Sequence, residues 1–279
     1  MRTALLPLPA FELSLHTYEA GDPAGPLVVM VPGNSLGADL YRAQLEAPEL
    51  QPFRLVALDL PGQGLSPHVP ALYGPDRLGA VLVAALEALA QGQPALVVGH
   101  SYGGNLLLEE LPQLPWLRGL LLLGAPPVGT AADLAAAFCL DATFQLLYTP
   151  ELTAAQADDL AAWCLCAHAP AEQHALVAAD VLRADGALRT ALATYIGNGQ
   201  LRDERAHAAA TAVPLAFATG EQERGLDFAY FDTLAAPTRW GAALHLLPDA
   251  AHLPFLENPA VFNQLLLAFA AATGPRPRG

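Results

Sequence analysis

Basic side chains are scarce in this sequence: 13 Lys and Arg stand against 27 Asp and Glu in 279 residues, a formal net charge of −14. A chain with so little positive charge has no footprint for nucleic acid or an anionic membrane surface, and neither is expected as a partner. Cysteine is scarce too. Cys139, Cys164 and Cys166 are too few and too clustered for the disulfide framework of a secreted protein, which agrees with a reducing compartment. No stretch reaches the about 18 uninterrupted apolar residues of a membrane span. Prolines at positions 7 and 9 interrupt the stretch where a signal peptide carries its apolar segment. The expectation is a cytoplasmic protein. No internal repeat and no low-complexity linker divides the chain. What is plentiful is apolar: 53% of residues are hydrophobic, enough for the core of one large α/β domain with an insertion, or of two small domains.

Read in order, the chain alternates strand and helix signals. Phe11 to Glu19 alternates apolar with polar residues, the pattern of a half-exposed edge strand that starts the sheet. Pro26 to Val31, Phe53 to Leu60, Ala95 to Val98 and Leu117 to Leu123 are apolar throughout and end in Gly- and Pro-bearing turns, as buried parallel strands do. Ala38 to Leu50 is a short helical connection, and Leu78 to Leu89 carries apolar residues at helical spacing. The rhythm predicts right-handed crossovers and a mostly parallel sheet. Strands resume at Pro214 to Thr219 and Ala243 to Leu247, before a final amphipathic helix from Pro259 to Ala271 and a tail, Gly274 to Gly279, expected to fray. Between Val128 and Ala212 the periodicity is helical, with helices expected at Ala131 to Phe144, Thr153 to Cys166, Ala171 to Leu182 and Gly186 to Ile196. These form a helical insertion over the carboxyl edge of the sheet.

One six-residue stretch organises the chemistry. Gly99-His100-Ser101-Tyr102-Gly103-Gly104 lies between a buried strand and a helix, the setting in which a sharp turn holds a serine in strained geometry with its hydroxyl outward. A nucleophilic serine needs a base, a group orienting that base, and donors for the oxyanion. His252, in the loop between the last strand and the last helix, is the base candidate. His100 is expected to point away from Ser101 and to act structurally. The loop after Pro214 to Thr219 offers Glu221, Glu223 and Asp227 at the carboxyl end of a strand, with Glu223 favoured and Asp249 a minor candidate. Main-chain N–H groups of Tyr102 and of Asn34, in Pro32-Gly33-Asn34, are the oxyanion donors. Cys164, Cys166, His168 and His174 have a metal-like spacing, but on a helix Cys164 and His168 share a face that Cys166 leaves, so no metal is expected. Asp59 is read as a loop-fixing residue. Trp163, Phe138, Phe144, Leu147 and Tyr148 build the insertion's own core, and of these Trp163, Tyr148 and Phe138 are the candidates to line a substrate pocket.

Taken together, Pro32-Gly33-Asn34, Asp59 to Ser66, the Gly99 to Gly104 turn, Gly220 to Glu223 and the His252 loop with Glu257-Asn258-Pro259 resemble the α/β-hydrolase family. The resemblance implies an α/β-hydrolase fold, a core of residues 1–127 and 213–279, and an all-helical cap at 128–212. It also implies a serine, acid, histidine triad in that order, acting on a carboxylic ester or lactone without a cofactor. Two positions depart from the family pattern: Pro32 stands where histidine is usual, and Ala251 where glycine usually precedes the catalytic histidine. A narrower resemblance, carried by Gly33-Asn34-Ser35, Gly124 to Val128, Arg183 to Gly186 with Arg189, and Gly220 to Glu223 with Leu226 to Phe228, is to α/β-hydrolases that open N-acyl-homoserine lactones. In that group the acid is a glutamate, which favours Glu223 over Asp227. Carbon–carbon bond hydrolysis by the same triad, and a non-catalytic receptor on the same fold, are the competing readings.

Overall fold

A computed structural model of the chain describes residues 1–274; the rest of the tail expected to fray, 275–279, lies outside them. An eight-stranded sheet runs through the molecule in the order β1-β2-β4-β3-β5-β6-β7-β8. Its strands are β1 (Arg2–Leu8), β2 (Leu13–Gly21), β3 (Leu27–Val31), β4 (Arg54–Leu58), β5 (Leu96–His100), β6 (Gly119–Leu123), β7 (Leu215–Gly220) and β8 (His245–Leu247). The pairs from β4 to β8 are parallel, and the β1-β2 and β2-β4 pairs are antiparallel. Every residue of β3, β5 and β6 is buried, because helices cover both faces of the parallel region.

The sheet starts at Arg2, earlier than the alternation from Phe11 indicates. β1 is an edge strand that buries only Leu8 fully and accommodates Pro7, so it carries little of the apolar signal that marks the central strands. Helix α1 (Arg42–Glu46) follows β3, α2 (Pro75–Ala90) follows β4, and α3 (Tyr102–Glu109) follows β5. Val29 and Val31 join α2 and α3 in one core layer, while Val28 and Met30 join the far face of the sheet in another.

Between β6 and β7 come α4 (Ala131–Ala137), α5 (Ala154–Cys164), α6 (Ala171–Arg183), α7 (Gly186–Gly197) and α8 (Glu204–Ala210). Thr153 caps α5 through a reciprocal pair with Gln156. Two features differ from the periodicity. Helix α4 stops at Ala137 instead of Phe144, because Phe138 turns extended and bridges Leu226 while Cys139 N–H donates to the Gly225 carbonyl at 2.9 Å. The loop after β7 thus captures the chain by main-chain pairing that no side-chain period reports. Helix α8 is the second, a short alanine-rich segment capped by Asp203. After β8, α9 (Pro254–Glu257) and α10 (Pro259–Ala272) complete the fold. Among the described residues no helix is long and apolar enough to cross a membrane.

Because β3 has β4 on one side and β5 on the other, the chain leaves β3 and β5 in opposite directions across the sheet. That switch point opens a crevice at the carboxyl ends of these two strands, where ligands of open α/β sheets bind. The loops around it are pinned by Asp59, fully buried just beyond β4. Its carboxylate accepts the Ala38 N–H at 2.6 Å and the Leu65 N–H at 2.9 Å, and faces His16 Nδ1 at 3.0 Å. Burial pushes its pKa up, against the opposing pull of these bonds. Asp59→Ala would orphan the buried Ala38 amide and free that of the more exposed Leu65, and the expected loss is about 2 kcal/mol in urea unfolding, read as a fall in midpoint at unchanged slope.

Candidate active site

Ser101 sits between β5 and α3 at φ 49°, ψ −128°, a backbone conformation costing a non-glycine residue about 1–3 kcal/mol unless its surroundings enforce it. The enforcement is visible. Ser101 N–H donates to the Leu123 carbonyl at 2.7 Å, tying the turn to β6, and the Ser101 carbonyl accepts from Gly104 at 2.8 Å. Glycines let the surrounding segments close on it. A Cβ at Gly99 would lie 2.7 Å from the Gly104 Cα, one at Gly103 would lie 2.3 Å from the Pro32 carbonyl, and one at Gly33 would lie 2.9 Å from the Ser101 Cβ. The three needed here for close approach all have negative φ; the strained residue is the serine.

Two main-chain N–H groups border the turn from either side. Those of Asn34, after β3, and Tyr102, at the start of α3, donate to no main-chain carbonyl among the described residues, leaving them open to a negative oxygen. The Asn34 loop is anchored through its other groups. Asn34 Nδ2 donates to the Leu147 carbonyl at 2.8 Å, Ser35 Oγ donates to Asn34 Oδ1 at 3.0 Å, and Gln63 Nε2 donates to the Gly33 carbonyl at 2.6 Å. Buried Arg189 of α7 donates to Ser35 Oγ at 2.9 Å and to the carbonyls of Thr149 and Pro150 at 2.6 and 2.8 Å. The helical insertion is therefore bolted to this loop by hydrogen bonds.

His252 lies in the loop after β8, with Nδ1 2.5 Å from Glu223 Oε2. Glu223 is buried beyond the end of β7, where Thr219 Oγ1 donates to the same oxygen at 3.1 Å and Gly225 N–H donates to Oε1 at 2.7 Å. Burial alone would raise the Glu223 pKa, but the charge and hydrogen bond of His252 outweigh it and hold the carboxylate below its usual range. Burial likewise pulls His252 down, and Glu223 overcomes it, raising the imidazole above its ordinary 6.5. The His252 loop is fixed on every side. Its N–H donates to the Cys164 carbonyl at 2.9 Å, and its carbonyl accepts from His100 Nε2 at 2.9 Å. Glu257 accepts the flanking N–H groups of Ala251 and Leu253 at 2.9 and 3.0 Å and that of Cys166 at 2.6 Å. Ala251 needs no positive φ to take its place. His100, fully buried, is kept neutral by its burial, with His252 as a neighbour, and serves as a prop beneath His252.

The other acidic candidates go elsewhere. Glu221 and Asp249 are exposed, and Asp227 caps the turn at Phe228 by accepting the Ala229 N–H at 2.9 Å. Ser101 opens onto two spaces. A small one is shared with His252, Trp163, Leu160 and Asn34. The other is a cavity of about 80 Å³ whose apolar wall includes Phe138, Phe144, Leu147, Tyr148, Leu192 and Ile196. Phe138, Tyr148 and Trp163 thus all border the space in front of Ser101, and Trp163 is fixed by its Nε1 donating to Asp141 at 3.1 Å. Cys164 contributes its carbonyl, not its thiol, and no group of three or more His, Cys, Asp or Glu among the described residues is disposed to hold a metal. Sequence reasoning missed Asn105, Glu109, Tyr195 and Glu204, which also line the larger cavity. Asn105 and Glu109 stand three and seven residues after Tyr102, a helical spacing that puts them on its face; Tyr195 and Glu204 carry no such signal.

The shifts fix the pH behaviour of the pair. The raised His252 contributes stability below its unfolded 6.5 that is lost as pH climbs through its folded value; the lowered Glu223 contributes above 4.5 and loses it as pH falls through its folded value. In Glu223→Gln, burial acts on His252 with its main opponent removed. The imidazole should titrate above 6.5 by NMR in the wild type and at distinctly lower pH in the variant. An unmoved titration would show that the contact does not control the ring.

The chain matches the alpha/beta hydrolase family over residues 28–265. No curated protein matches it at a significant level. Among solved structures it is similar to the N-acyl homoserine lactonase AidH complexed with N-butanoyl homoserine, at 24% identity and TM-score 0.88 over 100% of both chains. It is also similar to a thermophilic esterase from Thermogutta terrifontis, at 19% identity and TM-score 0.78 over 98% of this chain and 99% of that one. A bromoperoxidase from Bacillus anthracis superposes at 18% identity and TM-score 0.75 over 96% and 99% of the two chains. With the family matched across most of its length and the sheet, turn and loops in the corresponding order, the chain belongs to the alpha/beta hydrolase family.

Proposed function

We propose that this hydrolase cleaves a carboxylic ester or lactone through an acyl-enzyme, with Ser101 as nucleophile, His252 as base and Glu223 as the acid that orients it. The observation that carries the reading is the buried Glu223–His252 pair at 2.5 Å, with His252 and Ser101 bordering one small space at the tip of β5. Glu223 accepts from Nδ1, so Nε2 is the nitrogen left to take the Ser101 proton. Ser101 Oγ adds to the carbonyl carbon, and the N–H groups of Asn34 and Tyr102 receive the oxyanion, each worth about 3–4 kcal/mol in comparable sites. Collapse breaks the bond to the leaving oxygen, which takes the proton from His252. A water then gives its proton to His252 and attacks the ester of Ser101; collapse breaks the bond to Ser101 Oγ, which takes that proton back from His252, and releases acid and enzyme. In a lactone the leaving hydroxyl stays attached to the acyl group.

In this reading residues 128–212 form a cap over a core of 1–127 and 213–279, and Trp163, Tyr148 and Phe138 face the substrate. An acyl homoserine lactone is the proposed substrate. Support comes from AidH structures, in which a serine-to-glycine variant is complexed with N-hexanoyl homoserine lactone and the protein also appears with N-butanoyl homoserine. A narrow apolar cavity beside Ser101 suits an unbranched acyl chain.

Ser101→Ala is expected to lower p-nitrophenyl butyrate hydrolysis by about 10⁴-fold or more while the circular dichroism spectrum is retained, and a fluorophosphonate should label the wild type at Ser101 alone. Undiminished turnover in the variant would overturn the assignment; absent labelling would favour a receptor. Opening of N-hexanoyl homoserine lactone, followed by mass spectrometry, tests the substrate separately. For a base that must be neutral, kcat/KM should fall on the acid side of the raised His252 pKa, above 6.5.

A further inference from the structure

The larger cavity at Ser101 is apolar along its walls and polar at its far end. That end is built from one face of α3, where Tyr102, Asn105 and Glu109 follow one another away from Ser101, together with Tyr195 of α7 and Glu204 of α8. Glu204 is satisfied: it accepts from Asn105 Nδ2 and the Val128 N–H, both at 2.9 Å. Three atoms are not. Glu109 Oε2 and the hydroxyls of Tyr102 and Tyr195 are buried with no hydrogen-bond partner among the described residues, although Glu109 and Tyr195 are only 6% and 5% exposed. The Tyr195 hydroxyl and the Glu109 carboxyl lie close enough to act on each other by charge and by a weak contact, but they do not reach full hydrogen-bond geometry. Arg202, the nearby cation, is committed to Glu110 at 2.6 Å and Asp76 at 2.8 Å. Burial raises the Glu109 carboxyl to about 7.

An unsatisfied buried polar atom is costly, and three facing one cavity mark a place where a ligand supplies the missing partners. The unmet set is one carboxyl oxygen and two O–H groups. A plain alkyl end would leave all three desolvated. A carboxylate end has no hydrogen to give Glu109 and would repel it once Glu109 ionises, and an ammonium end would leave both tyrosine O–H groups without an acceptor. An alcohol matches the set, having one hydrogen to donate to Glu109 and two lone pairs for Tyr102 and Tyr195. Glu109 lies seven residues beyond Tyr102 on a continuous helix, about 10 Å along its axis.

From this we infer that the pocket selects straight acyl chains bearing a hydroxyl at the far end, about 10 Å from the attacked carbonyl, with Glu109 as the specificity-determining residue. The inference rests on the ester and lactone reading for the class of substrate, and it is tested by binding, which does not require turnover. The Ser101→Ala protein is titrated calorimetrically with methyl ω-hydroxydecanoate and with methyl decanoate. The hydroxylated ester should bind about tenfold more tightly, although its hydroxyl makes it the less hydrophobic of the two. Adding Glu109→Leu should reverse the order, and adding Tyr195→Phe, which removes only one oxygen, should narrow the difference several-fold. Equal or tighter binding of the plain ester to the Ser101→Ala protein would overturn the inference, as would a preference unchanged in both double variants. A wild type that hydrolyses p-nitrophenyl butyrate while Ser101→Ala shows no such preference leaves the hydrolase reading standing and removes this one.

Discussion

The structure depends on one tight place, the turn at Ser101. Its positive φ is tolerable only because neighbouring segments press in on it, and they reach it only where side chains are missing. Gly99 lies against Gly104 across the turn, Gly103 lies against the Pro32 carbonyl, and Gly33 lies against Ser101 itself. The end of β3, the end of β5 and the start of α3 therefore form a single packed unit. It stands at the switch point of the sheet, so the same contacts that strain the serine place the Asn34 and Tyr102 amides beside it. Strain, open amides and crevice share a physical cause.

Around that unit the molecule handles buried charge by pairing it. Glu223 and His252 move each other's pKa against the direction of burial, and the carboxylate gathers two further donors from Thr219 and Gly225. Glu257 secures the histidine loop through three N–H groups, one of which belongs to the segment after α5. Arg189 secures the Asn34 loop from the opposite side. Two separate clamps thus join the helical insertion to the Asn34 and His252 loops. The helices between β6 and β7 are held by the same bonds that position these loops.

Proteins described as lactonase, esterase and bromoperoxidase share this fold at low identity, so the sheet does not select the reaction. Within one fold the surfaces around the crevice are what vary, and in this chain they are the surfaces that face Ser101. Here these surfaces differ in kind: aromatic and aliphatic walls from the insertion, and a polar end from α3, α7 and α8.

Much of this was legible in the sequence. Buried parallel strands are continuous apolar runs, so β3 to β7 stand out, and the turn at Ser101 announces itself by its glycines. The order of Ser101, Glu223 and His252 is also plain in the chain, as is the loop-fixing part played by Asp59. Less legible were β1, an edge strand with little to bury, the early end of α4, set by main-chain pairing with the loop after β7, and α8, too short for its period to show. Among Glu221, Glu223 and Asp227 the sequence favours Glu223 without a packing reason; Glu223 is the one that the β7 loop turns inward onto His252. The polar end of the cavity is a wholly tertiary matter. Local sequence determines strands, helices and turns because these depend on neighbours along the chain, whereas Glu109 meets Tyr195 and Glu204 only because α3 shares one space with α7 and α8, far from it in sequence.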